Sequence, residues 1–282
     1  MPAQQPATTG SLQERLLALA QTLQFAWFVG HLTLLSTTLR YSLSYMTFNY
    51  YSRWAKFSYR TTFIAAAVTY GIVVYKGYRS RARQGKQGSP LSLLADENVQ
   101  YLAMASVWLF SRQIPLAILP FAVYSIFHVA TYTRANLLPV LQSPPAGGAA
   151  GAKQAPSGLS ETIGRFVKTY YDSSMTTVAI LEIALWFRIL GSALLFQKGS
   201  WILLGIYTVF FRARYQQSGF VQNAITQVTA RIDAQIANQS TPPAARQGWE
   251  TFKNLIRQAA DATDIRKYVT GPQQQAGPKK AQ

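Results

Sequence analysis

The chain has 282 residues, of which 49% are apolar and 13% aromatic, while only 13% are charged. A soluble domain carries roughly a quarter charged residues, and a chain this apolar has more hydrophobic surface than a single core can hide. Lys and Arg outnumber Asp and Glu by 27 to 10, and cysteine is absent, which excludes a disulfide framework and thiolate metal sites.

The basic residues cluster beside apolar runs, a distribution that points to anionic lipid headgroups and not to nucleic acid. Residues 1–24 open with a polar Pro/Ala/Thr-rich stretch. Leu12, Leu16, Leu19 and Leu23 then recur at helical spacing, predicting a short amphipathic helix. Glu14 and Arg15 cancel where a cleaved signal would carry a basic region, so the first apolar segment is expected to act as the targeting signal.

Residues 25–215 form the predicted transmembrane domain. Its first apolar region is 25–48, and the second, 57–75, is about 28 Å long as a helix, enough for a crossing. The third, 99–133, would run about 52 Å as one helix, too long for one upright crossing. Arg112, Pro115 and Pro120 interrupt it, so a helical hairpin bent near Ser111–Pro115 is expected. Its first arm, Val99–Phe110, is only about 18 Å long. The fourth region, 178–211, repeats the design in reverse: a spanning-length arm, a break at Lys198-Gly199 and a short arm. Wedge-like hairpins and a bundle of six tilted helices both fit these lengths. A Pro/Gly/Ala-rich linker, 143–158, separates the last two regions.

Charge orients the chain. Lys76, Arg79, Arg81, Arg83 and Lys86 form the densest basic loop, and Arg212 and Arg214 follow the last apolar segment; all seven are expected as a cytosolic basic flank. Residues 216–282 change character. Phe220, Val221, Ile225, Val228, Ile232 and Ile236 make one amphipathic stripe, and Trp249, Phe252 and Ile256 a second beyond Pro242-Pro243. Aromatic apolar faces with basic flanks suit the headgroup layer of anionic membranes, although packing against the protein or docking a partner would use the same pattern. The predicted fold is therefore all-α: a polytopic membrane protein with helical hairpins and a C-terminal pair of amphipathic helices.

No motif for phosphate, dinucleotide or zinc chemistry occurs, and neither a catalytic site nor a cofactor is expected. The intramembrane polar residues His31, Arg112, His128, Glu182 and Arg188 are read as interhelical or snorkelling groups, with Arg112 or Arg40 as the expected partner of Glu182. A small transporter or channel is the rival reading.

Four stretches carry a family likeness: Trp27–His31, Asp96–Tyr101, Leu119–His128 (LPFAVYSIFH) and Phe210–Tyr215. Together, over roughly residues 20–220, the chain resembles the eukaryotic endoplasmic reticulum (ER) and nuclear-envelope family that includes the fungal thirty-three-kilodalton pore membrane protein and its animal transmembrane counterpart. The resemblance implies a non-enzymatic, multi-pass protein of the ER membrane and nuclear envelope. It also implies association with nucleoporins, reticulon-type proteins and an importin-type receptor that binds the tail.

Overall fold

A computed structural model describes residues 11–85, 95–141, 158–238 and 240–262. Among the described residues the chain is all-α, without strands. Lys86, linker residues 143–157 and the tail beyond residue 262 lie outside them.

Helix α1, Leu12–Ala20, starts at a reciprocal cap: Glu14 N–H donates to Ser11 Oγ, and Ser11 N–H donates to the Glu14 carboxylate. Helices α2 (Leu23–Met46) and α3 (Arg53–Arg83) are each capped by a hydroxyl, Thr22 and Ser52 respectively. Helix α4, Glu97–Phe110, is capped by Asp96. After the break at 111–114, a 3-10 turn at Pro115–Ala117 leads into α5, Ile118–Tyr132, then a π turn at Thr133–Leu137 and a last turn at Leu138–Leu141. Pro115 removes a donor where the chain must bend anyway, so the hairpin turns where its sequence is least able to stay helical. Helix α6, Gly158–Leu194, is followed by α7 (Ser200–Gln217), α8 (Gly219–Ile236) and α9 (Pro243–Ala262).

Side-chain pairings fix the directions. Thr37 meets Thr62, Tyr70 stacks on Tyr101, and Trp186 bonds Thr208. Consecutive helices therefore run antiparallel, giving three reversals, α2/α3, α4/α5 and α6/α7, whose turns share one end. At that end, Arg112 at the second turn bonds Gln197 and, at 3.1 Å, Ser200 at the third. Tyr59, near the start of α3, accepts the Ile114 N–H at 3.1 Å. We call this the tip end and the opposite one the terminal end. The core between the arms is largely aromatic: Phe121 meets Phe63, Tyr70 and Tyr101 edge-on, and Trp108 packs on Tyr207.

Three helical stretches are long and apolar enough to cross a membrane: Arg53–Arg83, Pro115–Leu141 and Gly158–Leu194. Each reversal thus pairs one such arm with a lesser one. By helical rise α2 is about 36 Å and α4 about 21 Å long, and α7, expected as a short arm, reaches about 27 Å, close to crossing length, against about 46 Å for α3 and about 55 Å for α6. The last value departs from the sequence expectation, which began that arm at Val178. The residues before it, rich in Thr, Ser and Tyr, carry no hydropathy signal. They are nevertheless helical because Phe166 and Tyr171 pack on Phe127 of α5.

Candidate functional site

Among the described residues, two places combine chemistry with geometry: a buried ionic cluster near the terminal end, and the paired tail helices. The cluster centres on Glu182, which is 1% exposed. Tyr101 of α4 donates to its Oε1 at 2.5 Å, and Arg214 Nε of α7 lies 3.3 Å from the same oxygen. Tyr207 donates to the Glu182 backbone carbonyl at 3.1 Å. Arg214 also bonds Glu97 of α4 and donates to Tyr124 of α5 at 3.2 Å, while its guanidinium sits over the Tyr101 ring. One carboxylate and one guanidinium therefore tie α4, α5, α6 and α7 together. A buried charge is tolerated only with such paired and hydrogen-bonded surroundings.

This corrects two expectations. Glu182 pairs with neither Arg112 nor Arg40, and Arg214 is not a free flank residue, since it is 3% exposed. A helical repeat explains both outcomes: Glu182 on α6 and Arg214 on α7 lie at matching distances from the turn between them, which sequence separation conceals. Arg112 instead bonds the third turn, Arg40 bonds Ser44 at 3.3 Å, and Arg188 bonds Ser192 one turn on. Beside the cluster, Arg81 and Asp96 pair at 2.7 Å. Burial acts to raise Asp96, but hydrogen bonds from Asn98 and Arg81 outweigh it and hold the carboxyl below its usual range. Of the other flank residues, Lys76, Arg79 and Arg83 are exposed on the terminal end of α3, and Arg212 is partly covered.

The two histidines, distant in sequence, are neighbours. Their rings lie 4.7 Å apart, with Trp27 edge-on to both, and His31 Nδ1 is 2.9 Å from Ser125 Oγ across the α2–α5 contact.

The tail helices behave differently from one another. Val221 and Ala224 of α8 are buried against Ala179 of α6, with Phe220 and Ile225 beside them. Val221, expected to face lipid, is thus turned to the protein, because α8 follows α7 after a single capping residue, Ser218, and folds back on α6. Val228, Ile232 and Ile236 remain partly exposed. Helix α9 is held to α8 through Trp249 and Lys253, at one edge of its apolar stripe; Trp249, expected to face lipid, is thus turned to α8 and stacks on Phe252. Trp249 Nε1 donates to Asp233 at 2.6 Å, and Lys253 pairs with Asp233 at 2.9 Å and Glu250 at 2.8 Å. Hydrogen bonds from Lys253 and Trp249 lower the Asp233 carboxyl, and those to Glu250 and Asp233 raise the Lys253 ammonium. Beside these contacts, α9 leaves Phe252, Leu255 and Ile256 44%, 58% and 50% exposed in a row. Leu255 escaped the sequence reading, which followed the three-four spacing through Phe252 and Ile256.

The family model described as Transmembrane protein 33/Nucleoporin POM33 matches residues 4–262. The chain belongs to this family. Within the TMEM33/Pom33 family it is 54% identical to Nucleoporin POM33 of Chaetomium thermophilum, with 98% of both chains covered. It is 30% identical to the Pore membrane protein of 33 kDa of Saccharomyces cerevisiae, over 91% of this chain and 90% of the relative. Tetra-spanning protein 1 of Schizosaccharomyces pombe is 33% identical, with 87% of each covered. No solved structure matches. Membership, together with the helices of membrane-spanning length, makes the chain a multi-pass protein of the nuclear pore or ER membrane.

Proposed function

We propose that this TMEM33/Pom33-family chain is a non-enzymatic scaffold that shapes membrane and supports the assembly, distribution or stability of nuclear pore complexes. The relatives' names place those proteins at the pore membrane. The observation that carries the shaping role is the mode of docking of α9: polar contacts hold it beside the bundle, while Phe252, Leu255 and Ile256 stay open to lipid. A helix bound in this way inserts its apolar face among headgroups and adds area to one leaflet only. The short α4 arm, about 21 Å against a hydrocarbon core of about 30 Å, favours the same asymmetry.

The Glu182 cluster speaks for a scaffold over a transporter. A conducting path would hydrate Glu182 and Arg214, whereas both are packed among tyrosines. The basic tail would also serve a soluble importin-type factor. That reading differs from lipid binding in depending on charge and not on the apolar row.

Reconstitution of the full chain into anionic proteoliposomes tests the proposal. Vesicle diameter is expected to fall as protein density rises, and the Phe252→Asp/Leu255→Asp/Ile256→Asp variant is expected to lose most of that effect. Equal vesicle sizes for the two proteins contradict the role given to α9.

A further inference from the structure

The tip end has a composition that neither the ionic cluster nor the tail explains. Between Arg15 and Ala95 the chain contains no Asp or Glu, and no acid lies between Glu97 and Glu161 or between Glu182 and Asp233. The acid nearest the third turn is Glu182, about 18 Å below the end of α6 by helical rise. The cations at this end, Arg40, Arg53, Lys56, Arg112, Arg188 and Lys198, form no ion pair among the described residues. Arg40 and Arg188 each reach one helical turn toward the tips, onto Ser44 and Ser192, as snorkelling side chains do.

The turns themselves are built against backbone preference. The first and third close with the same pair of bonds: Asn49 N–H to Ser44 C=O at 2.8 Å with Phe48 N–H to Tyr45 C=O at 3.0 Å, and Gln197 N–H to Ser192 C=O at 3.1 Å with Phe196 N–H to Ala193 C=O at 2.9 Å. The left-handed position of such a helix stop is ordinarily glycine. Here it is Phe48 at φ 56° and Phe196 at φ 50°. A bulky residue there is strained. The strain gains no internal packing either, for Phe48 is 86% and Phe196 82% exposed, and Phe110 beside the second turn is 84% exposed. Trp54, Tyr51 and Trp201 stand exposed around them.

We propose that the tip end is a phospholipid-binding crown. Anionic phosphates of the leaflet at that end seat against Arg40, Arg112, Arg188 and Lys198, and Phe48, Phe110 and Phe196 stand beside those phosphates at the headgroup and uppermost acyl level. Charge selects this occupant: among the described residues no acid stands at this end to neutralise its cations, and the exposed Tyr51, Trp54 and Trp201 are aromatics of the kind that lie at the headgroup level. Arg112, locked to Gln197 and Ser200, fixes the second and third turns as one unit, so the phosphates gather around a rigid rim.

Native mass spectrometry of the full chain in neutral detergent, titrated with phosphatidylinositol or phosphatidylcholine, tests this. Phosphatidylinositol is expected to bind more tightly than phosphatidylcholine. Arg40→Gln and Arg188→Gln, whose side chains bond only within their own helix or to Trp54, are expected to weaken it roughly fivefold each. Lys76→Gln/Arg79→Gln/Arg83→Gln at the terminal end should leave this tip-dependent component in place. In a second arm, Phe48→Gly/Phe196→Gly is expected to raise the melting temperature yet lower lipid retention, an opposition that misfolding cannot produce. Wild-type binding by the arginine variants, or melting and retention moving together in the glycine variant, overturns the proposal.

Discussion

Arg214 shows what a single side chain holds in this molecule. It carries one end of every ionic contact to Glu182 and Glu97, so its removal strands Glu182 at 1% exposure. Breaking a buried pair from one side typically costs about 3–5 kcal/mol, whereas replacing both partners by apolar groups is often neutral. We expect Arg214→Met to lower the melting temperature of the detergent-solubilised chain sharply, and Glu182→Met/Arg214→Met to recover most of the loss. A double variant no more stable than the single one would contradict the pairing. Sequence marked Glu182 as a residue needing a partner, because one acid stood in a long apolar run. The partner was illegible there: Arg214 follows the apolar segment immediately, where a flanking cation ordinarily stands, and only the antiparallel return of α7 brings it to Glu182. His31 and His128 were likewise legible as polar intramembrane groups but not as neighbours, since their contact depends on α2 packing against α5.

At the scale of helices, close approach is set by small residues. Gly30 of α2 faces Thr69 of α3 so closely that a Cβ on Gly30 would lie 2.5 Å from Thr69 Cγ2. Gly30→Ala is therefore expected to destabilise by about 1–3 kcal/mol through overpacking. Thr69→Ser in the same chain should restore stability, because it deletes the offending methyl and keeps the hydroxyl that bonds Ala66 C=O at 2.9 Å. Failure of that rescue in a thermal melt would place the strain elsewhere. The sequence gives the turn at Ser111–Pro115 through its prolines, and the structure has α4 ending at Phe110. Sequence hydropathy did not foretell how far α3 and α6 run past their apolar stretches, since those ends are polar and are kept helical by caps and tertiary contacts. Val221 illustrates the same gap: amphipathic spacing gives a face, not what covers it.

For the whole molecule, the arrangement that matters is three antiparallel reversals with their turns at one end and the long polar helix ends, the ionic cluster and the tail at the other. That asymmetry underlies the unequal arms, the uncompensated cations at the tips and the one-sided seating of α9. In the proposed shaping role, a molecule so built would press differently on the two leaflets, which a symmetric bundle of equal helices would not do. The natural absence of cysteine makes its central feature directly measurable. Single cysteines at Asn49, Gln113 and Lys198, with a reference at Arg83, can be labelled in sealed proteoliposomes by a membrane-impermeant maleimide. The three turn positions are expected to label together from one side and Arg83 from the other. Labelling of any two turns from opposite sides would contradict the arrangement.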